Sequence, residues 1–168
     1  RKGAKTSATM TMAQKVVELT YAELPGPVIT KCKELILDSL ACGIGGSQTL
    51  IGRAALALMR QMGGHPHAKV LGSDFRGPCG LAAYTNASAI NALDYDDTGI
   101  GGHPGSSIIS SALALGEKLA KDGQSIILAC VTGYEIGTRV ARAIEPSWQR
   151  SRQIHGSGTA QTFGSMAA

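Results

Sequence analysis

The sequence is short of aromatic residues, which make up only 4% of its 168 positions. Hydrophobic residues still account for 43%, so alanine, leucine, isoleucine and glycine must supply most of the core. Side chains this small suit helices that approach one another closely. The length allows one domain with a core of its own and leaves little room for a second.

Closely spaced cysteines are also absent. Cys32, Cys42, Cys79 and Cys130 lie far apart and form no C-x-x-C pair, which argues against a zinc site and against a dense disulfide framework. Cys42 and Cys130 fall on apolar helical faces, where a thiol packs as a small hydrophobic group. We therefore expect no bound metal and a reducing compartment, which is the cytoplasm, or the mitochondrial matrix in a eukaryote.

Long runs of one residue class are missing as well. No apolar stretch approaches the length of a membrane span. The formal net charge of +4 is spread over the chain, without a run of like charges and without aromatic residues between the basic ones. These features argue against a membrane protein and against a nucleic-acid-binding protein, and they are compatible with an anionic small molecule as the partner.

The chain divides into a short tail and one domain. Residues 1–9 begin with basic side chains, have no apolar region behind them, and are predicted to form a flexible tail. Residues 10–168 are predicted to form a single helical domain. Its last residues, 161–168, still have the pattern of a helix in progress, so we expect this domain to be truncated relative to a longer polypeptide.

Apolar residues at helical spacing predict a mainly all-α fold of the helical-bundle kind. The expected helices cover residues 10–21, 28–46, 49–62, 81–93, 106–121, 125–144 and 160–168. Residues 68–72 are too few for a helix and are expected to form one brief extended segment. Glycines, prolines and an Asp-Gly turn separate these elements.

The most informative stretch is the acidic loop, residues 94–103, which follows the alanine-rich helix expected at 81–93. Asp94, Asp96 and Asp97 crowd the C-terminal end of that helix, where the macrodipole disfavours each negative charge by roughly a few tenths of a kcal/mol. A hydrophobic core does not require three carboxylates there. Thr98 and His103 follow in the same loop, so the sequence predicts a site that combines acids with an imidazole.

Other interpretations of the same residues are weaker. Residues 94–98 have the D-x-D-x-T form of haloacid-dehalogenase-like phosphatases, but that motif follows a hydrophobic strand, and the residues before Asp94 are alanine-rich and helical. A calcium-binding EF-hand loop beginning at Asp94 would need a glutamate at its twelfth position, which is Gly105. A solvated loop without any function is the third alternative.

The four histidines divide into two pairs. His65 and His67 flank a proline in a polar loop and are expected to be exposed. His103 and His155 each precede the start of an expected helix, where free backbone amides can receive a carboxylate. His103 and His155 are therefore the candidates for proton transfer.

Two further segments carry polar groups that suit an anion. Residues 156–159, Gly-Ser-Gly-Thr, look like a phosphate-binding loop without its lysine, which makes Ser157 and Thr159 candidate anion contacts. Arg139 and Arg142 follow Glu135 on one expected helix. Ion pairs on the surface are the simplest expectation for these arginines.

Several short motifs occur in a characteristic order, beginning with Leu24-Pro25 and the helix around residues 33–41. They continue with residues 86–98 (Asn-Ala to Asp-Tyr-Asp-Asp-Thr), 103–105 (His-Pro-Gly), 133–135 (Gly-Tyr-Glu), 154–155 (Ile-His) and 158–159 (Gly-Thr). In this order the chain resembles the MmgE/PrpD family from about residue 12 onward.

The resemblance implies a fold and an assembly. Members of the family have a large helical domain followed by a smaller α/β domain, and this chain would be the first part of the helical domain. They form homodimers and work without a metal or another cofactor. By the resemblance Asp94, Thr98, His103 and His155 fall on pocket positions, and the other residues of the pocket would lie beyond Ala168.

The resemblance also implies an enzyme, because the family includes 2-methylcitrate dehydratase, cis-aconitate decarboxylase and iminodisuccinate epimerase. We expect a cofactor-independent lyase, either a dehydratase or a decarboxylase, which acts on a small di- or tricarboxylate and is most similar to 2-methylcitrate dehydratase. An isomerase of the iminodisuccinate type and a non-catalytic helical domain that dimerises or binds an acid are the alternatives. The expected catalytic residues are Asp94, His103 and His155, and the expected substrate-binding residues are Thr98, Ser157 and Thr159.

Overall fold

The computed structural model describes residues 7–100, 102–144, 149, 153 and 156–168. Within these ranges seven α-helices and one two-residue hairpin are present, which confirms the mainly all-α fold. The helices are α1 (Ala8–Glu18), α2 (Gly26–Gly46), α3 (Leu50–Met62), α4 (Cys79–Asn91), α5 (Pro104–Lys118), α6 (Gly123–Ile144) and α7 (Gly156–Ala167). A short 3-10 helix, Tyr21–Glu23, lies between α1 and α2.

Polar side chains fix where several of these helices begin. The Ser7 hydroxyl accepts a hydrogen bond from the Met10 amide at the start of α1, and the Thr49 hydroxyl accepts one from the Gly52 amide at the start of α3. The Asp122 carboxylate accepts from the Ser125 amide at the start of α6. Each contact satisfies a backbone N–H that the first helical turn leaves without a partner.

The expected extended segment is the first strand of a small hairpin. Strand β1 (Ala68–Lys69) pairs with the antiparallel strand β2 (Arg76–Gly77), which the sequence pattern did not predict. The Glu117 carboxylate on α5 accepts a hydrogen bond from the Lys69 amide at 3.2 Å and forms an ion pair with Arg76 at 2.9 Å. The hairpin is thereby attached to the side of α5.

Helix α5 is the central element of the fold. It packs against α2, α4, α6, α7 and β1. One buried cluster joins α5 to α2 and α6, and a second joins it to α3, α4 and the hairpin. The first cluster contains Leu24, Cys32, Ile109, Ala112, Ile127 and Cys130, and the second contains Met59, Ala68, Val70, Ala82 and Ala114.

Small residues allow the helices to approach closely, as the shortage of aromatic residues predicts. At the contact between α2 and α4, a Cβ atom added to Gly46 would lie 1.8 Å from the carbonyl oxygen of Ala89. At the contact between α6 and α7, a Cβ atom added to Gly164 would lie 2.9 Å from the carbonyl oxygen of Gly133. Because the obstacle is backbone in both places, glycine is required for this spacing.

Helices α2 and α3 are consecutive and meet at a sharp bend of 85°. Across the ranges that the structure describes, no single helix is both long and apolar enough to cross a membrane. The α2 and α3 pair would meet that criterion only when both helices are counted together, by length and composition.

Candidate functional site

The acidic loop starts with an unusual backbone conformation at Asp94. This residue follows the end of α4 and has a φ of +50°, in the left-handed region that residues other than glycine seldom adopt. Its amide donates to the carbonyl of Asn91 at 3.0 Å. The Asp94 side chain is 83% exposed.

His103 lies at the other end of the acidic loop, in the N-cap position of α5. Its Nε2 atom is 3.2 Å from Oδ1 of Asp94, and its Nδ1 atom is 3.2 Å from Oδ1 of Asp96 and 3.1 Å from the Asp96 carbonyl oxygen. The imidazole is thus held between an exposed carboxylate and a buried one, and only 22% of its side chain is exposed. Of the predicted site residues, the structure brings Asp94 and His103 together.

Asp96 is the buried member of this arrangement, with 0% of its side chain exposed. Oδ1 also accepts a hydrogen bond from the Asn91 amide group at 3.1 Å, whereas Oδ2 has no hydrogen-bond partner among the described residues. Burial raises the pKa of Asp96 above its ordinary value, and the Asn91 hydrogen bond and the nearby His103 ring oppose that rise. Asp96 is therefore suited to hold the His103 ring from its inner side.

Asp97 anchors the acidic loop to two helices. Its Oδ1 atom accepts from the Gly105 amide in the first turn of α5, and its Oδ2 atom accepts from the Tyr134 hydroxyl on α6, each at 3.0 Å. Burial raises the pKa of Asp97, and these two donors oppose the effect. Burial, followed by the negative charge of Asp97, raises the pKa of Tyr134 well above its ordinary range, so this phenol stays protonated as a donor.

The raised pKa of Asp96 has a consequence for stability. A carboxyl group whose pKa is higher in the folded state binds its proton more tightly there, so its contribution to stability is complete below the unfolded-state pKa and is lost as pH rises through the folded-state pKa. We therefore expect the free energy of unfolding of the wild type, minus that of Asp96→Asn, to fall as pH rises from about 3 to about 7. Urea unfolding at several pH values measures this difference, and a difference that stays flat would contradict the expectation.

The remaining predicted site residues are Thr98, His155, Ser157 and Thr159. Thr98 is exposed within the acidic loop, and Thr159 is exposed near the start of α7. The side chain of Ser157 and all of His155 lie outside the described residues. In the ranges that the structure does describe, no group of three His, Cys, Asp or Glu side chains is arranged to hold a metal ion.

Two residues that shape the site, Asn91 and Tyr134, were not predicted as members of it, and Asp96 and Asp97 were named as acids of the loop without a role of their own. Asp96 is one of three nearby aspartates, and the sequence alone does not show which of them is buried. Tyr134 lies on a different helix, 37 residues from Asp97 along the chain. In the sequence, Tyr134 stood out only through its place in the Gly-Tyr-Glu motif.

The arrangement is suited to proton transfer at the side of the His103 ring that faces exposed Asp94. A carboxylate oxygen faces each ring nitrogen of His103, so both ring protons of an imidazolium have acceptors. The Asp96 carboxylate and carbonyl hold Nδ1, which leaves Nε2, on the side of exposed Asp94, as the nitrogen that a ligand can reach. An anion that displaced the Asp94 carboxylate would meet this nitrogen directly.

Comparison with known families gives one clear match. A sequence model of the MmgE/PrpD N-terminal domain matches residues 10–168, which is nearly the whole chain. The match includes α2 to α7 and the acidic loop.

Several curated relatives are cis-aconitate decarboxylases or are named as similar to one. The chain is 29% identical to the human cis-aconitate decarboxylase over 168 residues, which cover 96% of this chain and 35% of that enzyme. It is also 29% identical to a cis-aconitate decarboxylase-like protein of Aspergillus oryzae, with the same coverage, and to the cis-aconitate decarboxylase of Aspergillus terreus over 149 residues, 84% of this chain and 30% of that enzyme. The chain thus spans about a third of the length of these relatives.

Proposed function

The chain belongs to the MmgE/PrpD family, and on this basis we propose that the polypeptide containing it is a cofactor-independent lyase acting on a small di- or tricarboxylate. One observation carries the proposal: His103 is held between the exposed carboxylate of Asp94 and the buried carboxylate of Asp96. An imidazole held between two carboxylates suits general acid–base catalysis.

The names of the relatives favour one branch of this chemistry. They are called cis-aconitate decarboxylases, so we place cis-aconitate ahead of the 2-methylcitrate suggested by the sequence motifs. A tricarboxylate also suits the net charge of +4. Decarboxylation is therefore the first reaction to test, and dehydration is the second.

Decarboxylation of a tricarboxylate needs a proton donor. Loss of CO₂ breaks a carbon–carbon bond, and the electron pair passes to the neighbouring double bond and its carboxylate. One proton must then be added at carbon to give the dicarboxylate product. In our proposal Nε2 of His103 provides this proton, while Asp96 holds Nδ1 and keeps the ring oriented.

The remaining predicted residues complete the proposed site. Asp94 faces the reactive nitrogen before substrate binds, and Thr98 donates a hydrogen bond to a substrate carboxylate. Ser157 and Thr159 provide further contacts to the anion, and His155 is the second candidate for proton transfer. The pH dependence of the rate would show which of His103 and His155 acts as the acid and which acts as the base.

The proposal is tested with the full-length natural polypeptide and four acids: cis-aconitate, 2-methylcitrate, citrate and iminodisuccinate. In D₂O, we expect release of CO₂ from cis-aconitate and one deuterium at the protonated carbon of the product, followed by NMR. Conversion of 2-methylcitrate instead would assign the dehydratase branch. Exchange or epimerisation of iminodisuccinate alone would assign the isomerase alternative.

Failure to convert or exchange any of the four acids would contradict the enzyme assignment. The alternative would then be a helical domain that binds an acid or dimerises without turnover. Isothermal titration with the same acids would distinguish these two roles, because only the first produces a binding signal.

We also propose, from the family resemblance, that the natural polypeptide is a homodimer that works in the cytoplasm, or in the mitochondrial matrix of a eukaryote. Light scattering coupled to size exclusion measures the assembly state, and cell fractionation measures the location. A monomer at micromolar concentration would contradict the first part of this proposal.

A further inference from the structure

Tyr134 lies on α6, outside the acidic loop, yet its hydroxyl reaches the loop. We propose that Tyr134 is a positioning residue that fixes Asp97 and, through it, the placement of His103. This inference rests on the proposed function, since it gives His103 the reacting nitrogen. Among the described residues, the Tyr134 hydroxyl bonds to Asp97 and to none of the groups to which we assign chemistry.

The contacts form a continuous path from α6 to the imidazole. Tyr134 donates to Oδ2 of Asp97 at 3.0 Å, and Oδ1 of Asp97 accepts from the Gly105 amide at 3.0 Å. Gly105 is two residues beyond His103 at the start of α5, and Asp96, next to Asp97, contacts Nδ1 of His103. Movement of Asp97 would therefore shift both the backbone after His103 and the carboxylate that orients its ring.

The atoms around this path are closely packed. A Cβ atom added to Gly105 would lie 2.1 Å from Oδ1 of Asp97, 2.9 Å from the Tyr134 hydroxyl and 3.0 Å from the Ser39 hydroxyl. The Tyr134 ring packs against the buried cluster that contains Cys32 and Cys130, which fixes the hydroxyl from the other side. Without this hydroxyl, Oδ2 of Asp97 would lose its hydrogen-bond donor in a half-buried position.

The test compares Tyr134→Phe with Tyr84→Phe in the full-length polypeptide. Tyr84 lies on α4 and is 56% exposed, so its variant is the matched control. For Tyr134→Phe we expect kcat to fall about 10-fold with KM changed by less than about 3-fold, because a misplaced reacting group weakens the transition state more than substrate binding. For Tyr84→Phe we expect both constants to match the wild type.

Two NMR measurements without substrate separate positioning from a general structural effect. The hydrogen bond from Tyr134 lowers the pKa of Asp97, so Tyr134→Phe should move the titration of the Asp97 carboxyl carbon to higher pH. The ¹⁵N shift of Nδ1 of His103 should change in the same variant, because its contact with Asp96 is altered. A variant whose His103 signals match the wild type would overturn the proposal even if the wild-type protein turned over none of the four acids.

A double variant tests whether Tyr134 acts through Asp97. If it does, Tyr134→Phe combined with Asp97→Asn should lose no more kcat than Asp97→Asn alone. Independent losses that multiply would overturn the proposal. Should Tyr134→Phe fail to fold, as judged by circular dichroism, Asp97→Asn alone must show the altered His103 signals, and unaltered signals would overturn the inference.

Discussion

Replacing His103 with glutamine is expected to lower turnover of the natural polypeptide by about 100-fold or more, which is the usual contribution of a general acid or base. Glutamine retains a polar side chain that can bond to Asp96, but it cannot transfer a proton at neutral pH. The reaction should therefore lose its proton donor while the acidic loop keeps its contacts. Steady-state kinetics on the preferred acid measures kcat and KM, and circular dichroism measures retention of the fold.

The matched control is His65→Gln. His65 is exposed, stacks on His67, and lies in the loop before β1, so this variant should keep the wild-type rate. Unchanged turnover in His103→Gln would remove His103 from the mechanism and leave His155 as the candidate for proton transfer. Equal losses in both variants would point to a general effect of histidine replacement, which is also inconsistent with the proposed role.

Replacing Gly46 with alanine is expected to lower the free energy of unfolding by about 3 kcal/mol, the upper part of the range for overpacking. The added Cβ atom would lie 1.8 Å from the carbonyl oxygen of Ala89 and 2.9 Å from its carbonyl carbon. These atoms belong to the backbone of α4, so no side-chain rotation relieves the overlap. The two helices must separate, and urea unfolding of the variant measures the loss.

The neighbouring residue provides the control on the same helix. A Cβ atom added to Gly45 meets only Cδ1 of Leu93, at 3.5 Å, which is an ordinary contact. Alanine is favoured over glycine inside a helix by roughly 1 kcal/mol, so Gly45→Ala should be neutral or stabilising. If Gly45→Ala and Gly46→Ala were equally destabilising, the close approach of α2 and α4 would not explain the effect.

The helices were predictable because each has its own local signal. The alanine-rich segment expected at 81–93 forms α4 at Cys79–Asn91, and the Asp-Gly turn at 122–123 marks the start of α6. His103 was expected before a helix start and lies in the N-cap position of α5. Strand β2 was missed because two residues show no periodicity and its pairing with β1 depends on contacts with α5.

The site was predictable only in part. The meeting of acids and imidazole in one loop follows from their closeness in sequence, and Asp94 does contact His103. The burial of Asp96 depends on the left-handed turn at Asp94, which no pattern of apolar residues specifies. The hydrogen bond from Tyr134 to Asp97 depends on how α6 packs beside α5, which is a property of the folded chain.

The left-handed turn at Asp94 also bears on how this protein can evolve. The conformation with φ of +50° costs an aspartate roughly 1 kcal/mol that a glycine would not incur. In the part of the chain that the structure describes, the Asp94 side chain is the one that places a carboxylate beside Nε2 of His103, and glycine could not do so. If the proposed site operates, selection for stability and selection for the site oppose each other at position 94. A lineage without the chemistry would then be free to change Asp94 to glycine, whereas lineages that use the site should keep the aspartate.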